Sequence, residues 1–188
     1  MSPTLLMRML TALLLCSAGA FGQAAPGTPP RPHRTMATER SKIAFLVGSY
    51  TTTAAIPPAP GIPKGGSGTG TCVISWALDS MFLSISEKSV NSVLGKYAGY
   101  GMLGFDPQRE MFVLTMFNNF GDRPQYQGSM VSDTLVLTTS ISAPKGTFQQ
   151  KILWYRDGKK VRLQVLNDFG KGYVPALDET STPVAGKR

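Results

Sequence analysis

The chain has 188 residues, a formal charge of +8 near neutral pH and 42 % apolar residues. That is the length of one domain with a sizeable core, and it excludes a chain disordered by composition. With a single histidine, His33, and two cysteines, little material is left for His- or Cys-based chemistry.

The first stretch is predicted to lie outside the fold. Arg8 is the only charge before "MLTALLLC", and the small residues of "SAGAFG" follow. A basic start, a short apolar run and small residues make the pattern of a secretory signal peptide, here residues 1–22. The apolar run is too short to cross a bilayer, which takes about 20 residues. Cleavage is expected after Gly22, with Ala20 as the alternative. Lipidation at Cys16 is disfavoured, because Leu15 stands where a small residue is wanted. The protein is therefore expected to be exported, to the periplasm or beyond, with no integral membrane segment after cleavage. Residues 23–42, "QAAPGTPPRPHRTMATERSK", are dominated by Pro, Gly, Ala and charge and read as a flexible basic linker. Its charge suits solubility or attraction to a negatively charged surface. No nucleic-acid partner is predicted.

From Ile43 onward no long amphipathic helix appears. Short β-rich runs alternate with turn signals instead, as in an antiparallel β protein. Phe45–Thr53 is the first predicted strand, followed by the Pro- and Gly-rich "AAIPPAPGIPKGGSGTG". Gly68–Leu78 and Met81–Lys88 form a pair split at Asp79-Ser80. Tyr97–Phe105 and Glu110–Phe117 flank "DPQR", where Pro107 suits a type I turn. Tyr126–Val131 and Thr134–Ile141 meet at Ser132-Asp133. Phe148–Arg156 and Lys159–Asn167 flank Asp157-Gly158, the strongest hairpin signal in the chain. A last strand is expected near Tyr173–Leu177.

About ten strands joined mostly by short links make a meander, and closing it into a barrel hides its edges. The fold class is therefore all-β, a single antiparallel up-and-down β-barrel over residues 43–180, with a disordered tail over 181–188. A two-sheet sandwich is the alternative. Alternation separates two faces of each strand but leaves open which points inward. Met81, Leu83 and Ile85 share a face; Tyr100 and Met102 oppose Gly99, Gly101 and Leu103. The strand methionines suit either plain core filling or contact with an irregular apolar guest. The cavity candidates are Tyr50, Trp76, Met81, Tyr100, Met102, Met116, Tyr126, Trp154 and Arg156. After signal cleavage Cys72 is the lone cysteine, so no internal disulfide forms; set in an apolar strand, it is expected buried and inert.

"GSY", Gly48–Tyr50, resembles the Gly-x-Trp signature of lipocalins, with Tyr50 in place of Trp. "LVGSY", "GTGTCVISWALDSMFLSIS", "GYGMLGFDPQREMFVLTMFNNFG" and "YQGSMVSDTLVL" follow in order. Over Phe45 to Asn167 the chain resembles an uncharacterised bacterial family of exported lipocalin-like domains, the domain-of-unknown-function family 1579. The resemblance implies a calycin-type barrel with a cavity; it implies no substrate and no catalytic residue. The Pro-Gly stretch then has two readings, a flap over an open barrel end or an inert surface loop.

Several chemistries are argued against. His33 lies in the linker, so a His-ligated haem, a His/Cys zinc site and Ser–His or Cys–His nucleophiles are not expected, and no cofactor or metal is predicted. "GYGMLG", Gly99–Gly104, matches Gly-x-Gly-x-x-Gly, but a turn and a strand follow where a dinucleotide site needs a helix. "KGGSGTG" lacks the Gly-Lys-Ser/Thr end of a P-loop. Asp106, Asp122, Asp133 and Asp157 fall at turns. Glu87 and Glu110 are each either an inward acid or an outward, solvated one. Three functions follow: binding of a small apolar or amphipathic molecule inside the barrel, a filled non-catalytic envelope protein, or a cofactor-free isomerase or hydrolase using a barrel carboxylate or Tyr.

Overall fold

A computed structural model describes residues 33–59, 62–143 and 146–184. Ten strands run β1 (Gly48–Ile56), β2 (Gly66–Ala77), β3 (Phe82–Asn91), β4 (Gly95–Asp106) and β5 (Met111–Asn118). They continue as β6 (Gln125–Val131), β7 (Thr134–Ala143), β8 (Gly146–Asp157), β9 (Lys160–Asp168) and β10 (Tyr173–Pro183). Each pairs antiparallel with its sequence neighbours, and β1 pairs with β10, so the sheet is a closed up-and-down barrel. The sandwich alternative is thereby excluded.

The period-2 alternation decides which side chains face inward. On β1 these are Tyr50 and Thr52, on β2 Cys72 and Ile74, on β3 Leu83 and Ile85, and on β4 Leu103 and Phe105, all buried. Cross-strand register stacks them in layers. Leu83 pairs with Leu103, and Leu103 with Leu114, while Leu135 pairs with Trp154, and Trp154 with Leu163. These layers fill the half of the barrel near the β2–β3, β4–β5, β6–β7 and β8–β9 turns.

That end is plugged by a segment expected to be linker. Helix α1 (His33–Ile43) is followed by a 3-10 turn over Ala44–Leu46, and Ile43 and Leu46 are fully buried. Composition predicted flexibility here, but the burial of two side chains at the helix end fixes the segment. The Arg40 guanidinium donates to the Ser80 carbonyl at 2.9 Å, tying α1 to the β2–β3 turn. Phe45, expected in the first strand, sits in the 3-10 turn instead.

The "GSY" stretch has a steric explanation. Tyr50 folds back over Gly48, and a Cβ on Gly48 would lie 2.8 Å from the Tyr50 ring and its hydroxyl. Glycine therefore makes room for the ring, whose hydroxyl donates to the Leu46 carbonyl at 2.9 Å. One glycine and one tyrosine thus lock the plug onto β1.

Two other boundaries differ from expectation. The barrel does not end near residue 180. β10 runs to Pro183, with Thr51 opposite Thr182 and Tyr50 opposite Pro183. On its outer face, Nη2 of Arg162 donates to both Asp178 carboxylate oxygens at 2.6 and 2.8 Å, stitching β9 to β10. The Pro-Gly loop is also shorter than expected, because β1 continues to Ile56 and β2 begins at Gly66. The Asp157-Gly158 hairpin turns at Gly158 and Lys159, with Gly158 at φ +59°. Glu110, expected in a strand, lies exposed in the β4–β5 turn at φ +53°.

Candidate binding cavity

The other half of the barrel is hollow. A cavity of about 460 Å³ extends from Ile74, Leu114 and Trp154 to the turns at the unplugged end. Its deep wall is apolar, built from Ile74, Ile85, Leu114, Ile152, Trp154 and Val161. Its mouth is formed by Ile56, Ile62, Val93, Leu94 and Pro124. Leu94 is 61 % exposed, so the cavity meets solvent there.

Ile62 belongs to the segment after β1. Ala59 and Ile62 exchange backbone hydrogen bonds of 3.2 and 2.9 Å, which pinches this segment into a tight loop at the mouth. The sequence left a flap and an inert loop open. The structure brings one side chain of the loop to the cavity rim.

Polar groups gather on the walls between mouth and floor. Glu87 on β3 and Glu179 on β10 both line the cavity, as do Thr52, Ser181, Tyr97, Tyr126 and Gln150. Glu87 follows Leu83 and Ile85 at the same two-residue step, so it must share their inward face. Opposite it in register stands Gly99. A Cβ on Gly99 would lie 2.6 Å from the Tyr97 hydroxyl, so the phenol leans across the glycine. Further round, the Tyr126 hydroxyl donates to Gln150 Oε1 at 2.5 Å, and Gln150 Nε2 donates to Asn167 Oδ1 at 2.9 Å.

Burial governs the acidity of these groups. Desolvation pushes the Glu87 carboxyl up to about 7, partly offset by its hydrogen bond to Ser89. Desolvation, then repulsion from Glu87, pushes Glu179 up to about 8, offset in part by Ser181, whose hydroxyl donates at 3.4 Å. Burial also raises the Tyr97 phenol and pushes Tyr126 up to about 12. The Cys72 thiol is pushed up to about 12 by burial first and then by the two glutamates, so it stays protonated and inert at neutral pH.

Of the nine candidates, the structure brings Tyr50, Met116, Tyr126 and Trp154 together on the cavity wall. Trp76 is partly buried against the core at the plugged end and does not line the cavity. Met81 lies in the β2–β3 turn beside Arg40, whose Nη1 is 3.8 Å from its sulfur. Tyr100 and Met102 are on the outer face, Tyr100 half exposed with its hydroxyl 3.6 Å from the Met102 sulfur. The glycines opposed to them point inward, and the space they leave is taken by Tyr97 and Met116. Arg156 is exposed at the plugged end, 5.9 Å from the Phe45 ring, in a shallow recess with Lys159 and Lys160. Sequence reasoning missed Glu179, Thr52 and Ser181. For Glu179 and Ser181 the alternation along β10 was the available signal, and for Thr52 its two-residue step from Tyr50 on β1, but polar residues at inward positions did not read as lining.

Among the described residues, no three His, Cys, Asp or Glu side chains converge as a metal site. Gly99–Gly104 lies within β4, which runs into a turn and then β5. Likewise no described helix is long and apolar enough to cross a membrane.

The profile of the family described as "Protein of unknown function (DUF1579)" matches residues 35–162. The chain belongs to this family. No curated protein matches the chain. Among solved structures, the chain is similar to the crystal structure of Rv2717c from M. tuberculosis. The identity is 16 % and the TM-score 0.56, with 77 % of this chain and 96 % of that one covered. At that identity the likeness concerns the fold alone. The family match runs from α1 into β9, and this chain completes the ten-stranded barrel, plugged at one end and hollow at the other, with the rest of β9 and β10.

Proposed function

We propose that this DUF1579 protein is an exported carrier that binds one small, mostly apolar molecule inside its barrel. The observation that carries this reading is the cavity of about 460 Å³, apolar at its floor with polar groups spaced round its walls. Such a volume falls within the ~300–1,000 Å³ typical of small-molecule sites, and a few polar groups on apolar walls suit orientation of a guest. Burying apolar ligand surface there contributes about 25 cal/mol per Å² before the cost of association. Ile62 and Leu94 would flank the entry path, and Trp154 would contact the guest at depth. Export is supported by the n-region, apolar run and small residues of 1–22.

Native mass spectrometry of the protein purified from its own host tests the binding. A stoichiometric non-covalent adduct, released by denaturation, is the expected result. Protein that runs at its bare chain mass under gentle conditions, and takes up no apolar compound offered to it, overturns the reading. A second reading, general acid–base chemistry on a bound molecule, is favoured by one feature: two carboxyls with raised pKa values in the same cavity. It would show as a product formed from the co-purified molecule on incubation. The filled-barrel envelope protein is not favoured, because the hollow half contradicts its premise.

A further inference from the structure

Deepening the binding reading, and resting on it, we infer that the cavity selects an organic cation with an apolar body, such as an aliphatic amine. Its head group would lie between Glu87 and Glu179.

The strand register places these two groups. Glu87 on β3 faces Cys72 on β2, and Cys72 faces Tyr50 on β1. One inward step toward the mouth, Gly70 on β2 faces Thr52 on β1, and Thr52 faces Ser181 on β10. Glu179 follows as the next inward residue of β10. The two carboxyls therefore bracket a strip of wall made by Gly70 and Thr52. Gly70 contributes no side chain, which leaves the strip open.

A second observation points to a guest in that gap. Thr52 is only 2 % exposed and lines the cavity, and its hydroxyl, which makes no hydrogen bond within the described residues, opens onto the cavity space. Glu179, 5 % exposed, receives only the long 3.4 Å contact from Ser181. The donors the protein offers these carboxyls are neutral hydroxyls, Ser89 to Glu87 and Ser181 to Glu179.

The charge balance names the donor. Among the described residues lining the cavity there are two carboxyls and no Lys, Arg or His. A buried carboxylate is stabilised by a paired cation or by several donated hydrogen bonds. A primary ammonium carries three N–H donors and a positive charge, enough to serve Glu87, Glu179 and Thr52 at once. Its hydrocarbon body would extend onto the floor of Ile85, Leu114 and Trp154. An ammonium draws off the protons that burial holds on Glu87 and Glu179, whereas a fatty-acid carboxylate offers neither group a counter-charge. A bare divalent cation would need about six oxygen ligands in a fitted cage, and two carboxyls on opposite sides of a gap do not build one.

The test uses three competitors with the same tail, decylamine, decanol and decanoate, each displacing the fluorescent apolar probe N-phenyl-1-naphthylamine near neutral pH. In the wild-type protein decylamine is expected to displace the probe at a concentration at least about tenfold lower than decanol or decanoate. The chain's charge of +8 repels amines and attracts carboxylates at the surface, so this order cannot arise from surface adsorption. In the Glu87→Gln/Glu179→Gln double variant, probe binding persists and the amine advantage shrinks to about threefold or less. Thr52→Val, which removes only the hydroxyl, weakens decylamine and leaves decanol unchanged. Equal potency of amine and alcohol in the wild type, stronger displacement by decanoate, or an amine advantage that survives in the double variant overturns the inference while leaving the carrier reading intact. Failure of the probe and all three competitors to bind the wild type overturns both.

Discussion

The buried glutamates make a specific prediction for stability against pH. In the unfolded chain both carboxyls titrate near 4.5, while in the fold Glu87 titrates near 7 and Glu179 near 8. Between those values the folded protein holds protons that the unfolded chain has released, so stability falls as pH rises through the window. Above about pH 8 the loss is complete, and below about pH 4.5 both states are protonated and it vanishes. Raising a carboxyl's titration midpoint by one pH unit on folding costs about 1.4 kcal/mol once the group is ionised. Glu87 rises from 4.5 to about 7 and Glu179 from 4.5 to about 8, their repulsion entering only through Glu179, so the pair together costs roughly 8 kcal/mol at the alkaline end. Glu179→Gln removes the larger of the two rises and the repulsion with it, which is worth roughly 5 kcal/mol there. For a domain of this size that raises Tm by about 10–20 °C. The assay is thermal unfolding followed by circular dichroism, with wild type and variant compared at each pH so that every other titrating group cancels. The expected difference grows from near zero at acid pH to its full value above pH 8. A constant difference across the range, or a wild type that gains on the variant as pH rises, would refute the assignment of both carboxyls to the dry interior.

Other consequences are simpler. Gly48→Val forces the Tyr50 ring off Leu46 and is expected to cost about 1–3 kcal/mol in urea unfolding, whereas Tyr50→Phe, losing only the hydroxyl, costs about 1 kcal/mol; equal costs would disprove the steric reading of this pair. Leu46→Ala hollows the plug and is expected to lower stability by about 2–5 kcal/mol. A near-neutral result would mean that the plugged end is not packed as described. Cys72 is expected to resist a thiol-specific disulfide reagent in the native protein and to react at once in denaturant, with the site of labelling read by peptide mass mapping. Rapid native labelling at Cys72 would contradict its burial.

Most of the barrel was legible because its strands alternate and its turns carry Asp, Gly, Ser and Pro at the positions that hairpins demand. What the sequence hid has physical causes. Helix α1 has almost no apolar face, and it is fixed by contacts far away in sequence: Ile43 and Leu46 buried in the barrel end, and Arg40 bonded to the Ser80 carbonyl. β10 carries Glu179 and Ser181 on its inner face, so its alternation is inverted and reads as a polar tail. Tyr100 and Met102 looked like lining because they are large and their neighbours are glycines. The barrel uses those glycines inward, since Tyr97 and Met116 fill the space over them. Glu87 could have been oriented from Leu83 and Ile85 alone, because a strand without a bulge keeps all three on one face. The carboxyl pair as a unit could not, since it depends on β1 and β2 lying between two strands some ninety residues apart in sequence.

The hollow interior is tested most directly by titrating N-phenyl-1-naphthylamine into the wild-type protein and into Ala54→Phe, whose new ring projects from the cavity wall. One probe per chain, bound by the wild type and weakened by about tenfold or more in a variant that keeps its thermal stability, is the predicted outcome. A wild type that binds no probe, or a filled variant that binds it equally well, would contradict a guest held inside the barrel.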